Sequence, residues 1–176
     1  MALVVIVDQI SKIMAVPALA TLFQGQYYPT RRIQVIPGCL DFMYAENTGG
    51  AFSILQNNPW IITGVAAVLT VGLILWSVSL RAKPFIIQLA LGMVIGGAIG
   101  NLIDRVRLQY VIDFIHAYIV IDGKEQAWPT FNIADMAIMG GIGTLLYLSF
   151  FTKMLDGNPK AEPVASSDTQ HNEPAI

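Results

Sequence analysis

Charge is scarce in this chain. Aspartate, glutamate, lysine and arginine make up 12% of its 176 residues, against about 25% in an ordinary soluble domain. Histidine is scarcer still. His116 and His171 are the two present, so a histidine-based triad or an H-E-x-x-H zinc site lacks its residues, and no metal is expected. The single cysteine, Cys39, has no partner for an intrachain disulfide. Its flanks, "PGCLDF", hold no histidine to activate a thiol, so it reads as a passive small residue. There is no internal repeat and no glycine-rich phosphate loop. A net charge of −2 argues against a nucleic-acid partner.

Apolar residues fill the space that charge leaves. Hydrophobic residues account for 55% of the chain, and they come in long runs. Trp60 to Leu80 is 21 residues without a charge, and Pro84 to Ile103 is another 20. A helix needs about 20 such residues to cross the hydrocarbon core of a bilayer. A third run extends from Met136 to Thr152, with Asp135 at its mouth. The N-terminal stretch, Met1 to Phe23, is apolar except for Asp8, Gln9, Ser11 and Lys12. Asp8 and Lys12 are four apart on one helical face and can pair. "PALA" resembles a signal-peptide cleavage site. The apolar segment before it is interrupted by an acid and a base, however, and its start carries no basic residue. Met1 to Phe23 is therefore expected to be an uncleaved fourth span.

The reading is an all-α membrane protein: four transmembrane helices, at about 1–23, 60–80, 84–103 and 135–153, with a small extramembrane β element. Four spans place both termini on one side. Arg81, Lys83, Lys153 and Lys160 flank one face, and Arg31, Arg32, Arg105, Arg107 and Lys124 the other. That near-equality leaves orientation open under the positive-inside rule. The polar loop 24–58 is rich in β-branched and aromatic residues around the turn signal Pro37-Gly38. Loop 104–134 contains the strand-like "YVIDFIHAYIVI" and a turn at Asp122-Gly123. Gly92, Gly96 and Gly100 recur every four residues on the third span, a face suited to close helix packing. They also suggest an open wall, between the third and fourth spans, for an incoming helix. The segment 156–176 is rich in Pro, Ser, Asp and Asn and reads as a disordered polar tail.

Asp135 raises the functional question, because a carboxylate beside hydrocarbon is costly unless something compensates it. The third span ends on the face where the fourth begins. Asn101, Asp104, Arg105 and Asp113 are therefore expected at the depth of Asn132 and Asp135. Asn132 with Asp135 can simply cap a helix, and Asp104 with Arg105 can be an interfacial ion pair. Yet two acids, Asp113 and Asp135, both flanked by apolar residues, cannot both ionise easily when close together. One of such a pair keeps its proton near neutral pH. A pair sharing a proton can activate water and protonate a leaving group. Two other readings remain: a small proton-coupled transporter, and a scaffold that binds a partner helix through its glycine face.

Five segments, in order, resemble the lipoprotein signal peptidases, or signal peptidase II: "DQISK" (Asp8 to Lys12), "NTGGAFS" (Asn47 to Ser53), "GGAIGNLIDR" (Gly96 to Arg105), "VIDF" (Val111 to Phe114) and "WPTFNIAD" (Trp128 to Asp135). The resemblance covers about residues 1–155, as one membrane peptidase domain. It implies a bacterial membrane aspartyl protease, without cofactor, that cuts prolipoproteins just before their lipid-modified cysteine. Its partners would be diacylglyceryl-modified prolipoproteins, membrane lipid and family-type inhibitors such as globomycin. It would be a multi-pass protein of the cytoplasmic (inner) membrane, with both termini cytoplasmic and the active site at the outer face. The resemblance further implies Asp113 and Asp135 as the catalytic pair and Asn47, Asn101, Arg105 and Asn132 as substrate-binding residues. Asp8 and Lys12 would be structural, with Asp104 orienting Arg105. The chain departs from the family pattern in three ways. Seven residues precede Asp8, fewer than the pattern predicts. Gly50 stands where alanine is common, and Gln109 where glycine is usual.

Overall fold

The computed structural model describes residues 1–23, 25–49, 58–80 and 84–151. Gly50 to Ser53 of the second motif, residues 81–83 and the expected tail 156–176 lie outside the described residues. Four helices are long and apolar enough to cross a membrane: α1 (Ala2–Leu19), α2 (Pro59–Ser79), α3 (Phe85–Leu108) and α4 (Ile133–Phe151). Each carries the apolar surface expected of a lipid-facing helix. On α2, for example, Val68 and Leu75 are exposed, with nothing among the described residues to cover them. Pro59 begins α2 at a position where its missing N–H costs nothing. The first helix ends at Leu19, short of Phe23, because the chain becomes extended at Ala20 and enters a hairpin. That hairpin pairs β1 (Ala20–Phe23) with β2 (Gln26–Pro29).

The remaining strands form one antiparallel sheet in the order β3 (Arg32–Ile36), β4 (Leu40–Asn47), β5 (Val111–Ile121), β6 (Lys124–Ala127). It therefore joins the loop after α1 to the loop after α3. The Asp122-Gly123 turn has positive φ at both residues, 51° and 71°, the geometry that matches the twist of a tight hairpin. The sheet sits on the end of α1. Leu19, Val16, Tyr44, Ile112, Phe114 and Ile115 form a shared buried cluster. Burial of each large apolar side chain there contributes about 1.5–3 kcal/mol, which fixes β5 relative to α1.

The glycines of α3 and α4 that face a neighbouring helix are filled, although Gly143 of α4 has open space beside it. A Cβ on Gly97 would meet Ala134 O at 2.3 Å, one on Gly141 would meet Ala90 O at 2.6 Å, and one on Gly96 would meet Met1 O at 2.8 Å. The backbones of α1, α3 and α4 touch through these positions, as small residues permit in membranes. The expectation of a glycine wall open to an incoming helix is thus corrected: α1 and α4 occupy it.

Candidate active site

The site begins with a strand and a loop that share hydrogen bonds. Ile115 N donates to Phe131 O at 2.8 Å, and Phe131 N returns a bond to Ile115 O at 3.0 Å. This bridge holds the start of α4 against the start of β5. Asp113, 1% exposed, lies two residues before the bridge on β5, and Asn132 lies immediately after it. Residues 19 apart in sequence are thereby brought into contact. Asn132 Nδ2 donates to Asp113 Oδ1 at 2.6 Å, to Ile112 O at 3.3 Å and to Asn101 Oδ1 at 3.1 Å.

Asn132 is also the cap of α4. Its Oδ1 accepts from Asp135 N at 2.9 Å, while Asp135 Oδ2 accepts from Asn132 N at 3.3 Å. Such reciprocity is a capping box, satisfying two N–H groups that a helix start leaves without partners. The capping reading of Asp135 is therefore right, and it does not exclude the other. Asp135 Oδ1 accepts a further bond, from Asn101 Nδ2 at 2.7 Å. Asn47 Nδ2 donates to Asp113 Oδ2 at 2.9 Å from the end of β4. Every amide here donates toward a carboxylate, so two acids are held by three asparagines. The Asp113 carboxyl is pushed up to about 7, chiefly by burial. The nearby charge of Asp135 adds to the rise, and the bonds from Asn47 and Asn132 oppose it.

Open space adjoins both acids. One cavity of about 740 Å³ is lined by Asn47, Trp128, Thr130, Asp135, Met136 and Met139. Another, of about 650 Å³, is lined by Asn47, Gly49, Ile62, Arg105, Asp113 and Thr130. They share Asn47, Pro129 and Thr130 as a common wall. Of the residues expected to bind substrate, Asn47 and Arg105 line these cavities. Asn132, 0% exposed, and Asn101, 7% exposed, are instead engaged with the carboxylates. Trp128, which opens the last of the five motifs, and Met136 and Met139 are not among the residues expected at the site. In an apolar chain, nothing marks which methionine faces a cleft.

A second polar layer lies beneath. Lys12 Nζ pairs with Asp8 Oδ2 at 2.9 Å and with Asp104 Oδ2 at 2.8 Å, all three side chains buried. Asp8 Oδ1 accepts from Ala134 N at 2.9 Å, so the first span caps the fourth. Asp104 accepts from Ile112 N at 3.2 Å and from Gln9 Nε2 at 3.0 Å. It serves Lys12 and the start of β5 rather than orienting Arg105, because neighbouring residues on a helix point about 100° apart. Arg105 instead reaches back to Asn101 O at 3.4 Å.

The family comparison decides what this arrangement belongs to. The sequence profile of signal peptidase (SPase) II matches residues 1–151. This chain belongs to the signal peptidase II family. The lipoprotein signal peptidase of Coxiella burnetii is 38% identical over 154 residues, covering 85% of this chain and 86% of that protein. That of Ectopseudomonas mendocina is 37% identical over 155 residues, covering 85% of this chain and 83% of that protein. A bacterial membrane enzyme solved in meso at 1.9 Å superposes with a TM-score of 0.66 at 27% identity, covering 85% of this chain and 89% of that one. As a signal peptidase II, the chain is a protease and a multi-pass bacterial membrane protein.

Proposed function

We propose that this signal peptidase II is an aspartic endopeptidase acting on diacylglyceryl-modified prolipoproteins, with Asp113 and Asp135 as its reacting pair. The observation that carries the reading is the Asn132 bridge. One side chain bonds Asp113 Oδ1 at 2.6 Å and Asp135 N at 2.9 Å, and the two acids line adjoining cavities that share a wall. Two acids held this way suit hydrolysis of a peptide bond without a cofactor. Asp135 takes a proton from water, and the water oxygen adds to the scissile carbonyl carbon. Asp113, which burial keeps protonated up to about pH 7, gives its proton to the departing amine. The peptide bond breaks, and the carboxyl product carries the water oxygen. Arg105 and Asn47, on the cavity walls, hold the backbone of the extended segment. Globomycin-type inhibitors would occupy the same space.

Removal of the signal peptide from the prolipoprotein would occur just before the modified cysteine, at the outer face, with both termini cytoplasmic. The transporter reading needs acids at several depths. Asp8, the one acid that stood apart in the sequence, joins Asp104 through Lys12 and so falls in with the rest. The scaffold reading needs a free glycine face, and that face is filled.

The test is the pair of amide variants. Asp113→Asn and Asp135→Asn should each reduce cleavage of a lipid-modified prolipoprotein by at least about a hundredfold, the usual contribution of a positioned acid or base. Each variant should still insert and melt as a folded protein. Near-normal turnover in either one removes that carboxylate from the mechanism.

A further inference from the structure

We infer that Lys12 is a positioning residue for hydrolysis: its ammonium fixes the Asn101 amide so that the amide's N–H faces Asp135. The inference rests on the aspartic reading above and adds to it a residue that the sequence marks as structural. Lys12, 2% exposed, directs its ammonium at three acceptors: Asp8 Oδ2, Asp104 Oδ2 and Asn101 Oδ1, the last at 3.2 Å. The ammonium has three N–H donors, and the two carboxylates take two of them. The third bond crosses to a residue that touches the reacting pair.

Asn101 shows why that bond matters. Its Oδ1 accepts from Lys12 Nζ at 3.2 Å and from Asn132 Nδ2 at 3.1 Å, and its Nδ2 donates to Asp135 Oδ1 at 2.7 Å. A flipped amide would set its N–H groups against two donors and its oxygen against a carboxylate. Lys12 contributes one of the two donors that forbid the flip, and the only one of them that carries charge. Without it, Asn101 is held on that side by Asn132 alone, and Asp135 loses a fixed partner. Lys12 does not line either cavity beside the aspartates. It lies instead beside a separate space of about 560 Å³, with Gln9, Val16 and Asp104. Its loss should therefore act on turnover and not on substrate binding.

Lys12→Met alone would leave Asp8 and Asp104 without a counter-ion, and a failure to fold would follow from that. The informative variants are built on Asp8→Asn, whose oxygen still accepts from Ala134 N. Asp8→Asn with Lys12→Met keeps the net charge of the buried set at the parent's value but leaves Asp104 without its counter-ion, a cost that Asp8→Asn with Lys12→Gln shares. Asp8→Asn with Lys12→Gln restores a neutral donor within reach of Asn101. The assay is steady-state cleavage of a diacylglyceryl-modified prolipoprotein by protein of verified melting temperature. Relative to Asp8→Asn alone, the Met variant should lose about tenfold or more in kcat, the scale of a small misplacement of a reacting group, with KM within about twofold. The Gln variant should recover to within about threefold of the reference. Equal kcat in the folded Met and Gln variants, or a loss confined to KM, overturns the inference. If the Met variant does not insert, the Gln variant is judged alone: kcat within about threefold of Asp8→Asn supports the inference, and anything lower overturns it. A parent protein that leaves the substrate intact would overturn the aspartic reading itself, before any variant is compared.

Discussion

Asp113 and Asp135 show how much one residue's surroundings decide. Both were legible as candidates, because an acid flanked by apolar residues demands an explanation. Their roles in the structure were not. Asn132 and Asn101 look like substrate contacts in a motif, yet they are buried and bonded to the carboxylates. Sequence gives residue types and order but not which of two amide faces meets which acid. The environment of Asp113 leads to a pH prediction. Its carboxyl is raised to about 7, first by burial and then by the charge of Asp135. As the proposed proton donor it must be protonated, so activity should hold below that pH and fall by one proton's slope above it. The measurement is kcat/KM between pH 5 and 9, which reports the free enzyme. A profile that rises through pH 8 would reverse the assignment of acid and base.

Among the elements, the helices were plain and their ends were not. Long uncharged runs mark spans directly, because the bilayer sets their length. Where a helix stops depends on local chemistry that hydropathy does not register. The third helix runs on to Leu108, beyond the uncharged run that ends at Ile103, because Asp104 faces Lys12 inside the protein. It then stops at Gln109, whose φ of 70° is left-handed. Glycine is usual at that position in the family pattern, and the backbone explains the preference. A side chain there costs about 1–2 kcal/mol. Gln109 recovers part of this by donating to Arg105 O at 2.9 Å, but its buried Oε1 has no partner among the described residues. Gln109→Gly should therefore raise stability by about 1 kcal/mol. That corresponds to a few degrees in the melting temperature of the detergent-solubilised protein. A lower melting temperature would show that the side chain's own bond outweighs the backbone strain.

For the whole molecule, topology follows from joining two loops. Residues 24–58 and 104–134 were each expected at one face, but their assembly into a common sheet was not readable. Pairing of β4 with β5 links residues about 70 apart, and no local signal specifies such a partner. That sheet gives a direct test of orientation. Cys39 is exposed in the turn between β3 and β4, on the face assigned to the outside. In intact cells stripped of the outer membrane, Cys39 should react with a membrane-impermeant thiol reagent. With Cys39→Ser, a cysteine placed at Lys124 should react too, and one placed in the tail should not. The reverse pattern would invert the protein in the membrane.

Catalysis by Asp113 and Asp135, as proposed, requires one peptide bond of the substrate to be held at their depth. Acyl chains that remain in hydrocarbon would hold the modified cysteine at the depth of the aspartates, and correct placement of reacting groups is worth several kcal/mol of barrier. The most direct measurement is the intact mass of products after purified protein meets a prolipoprotein with and without its diacylglyceryl group. The account predicts a product beginning at the lipid-modified cysteine, with the unmodified chain cut orders of magnitude more slowly. Equal cleavage of both chains, or a product that begins elsewhere, would contradict it.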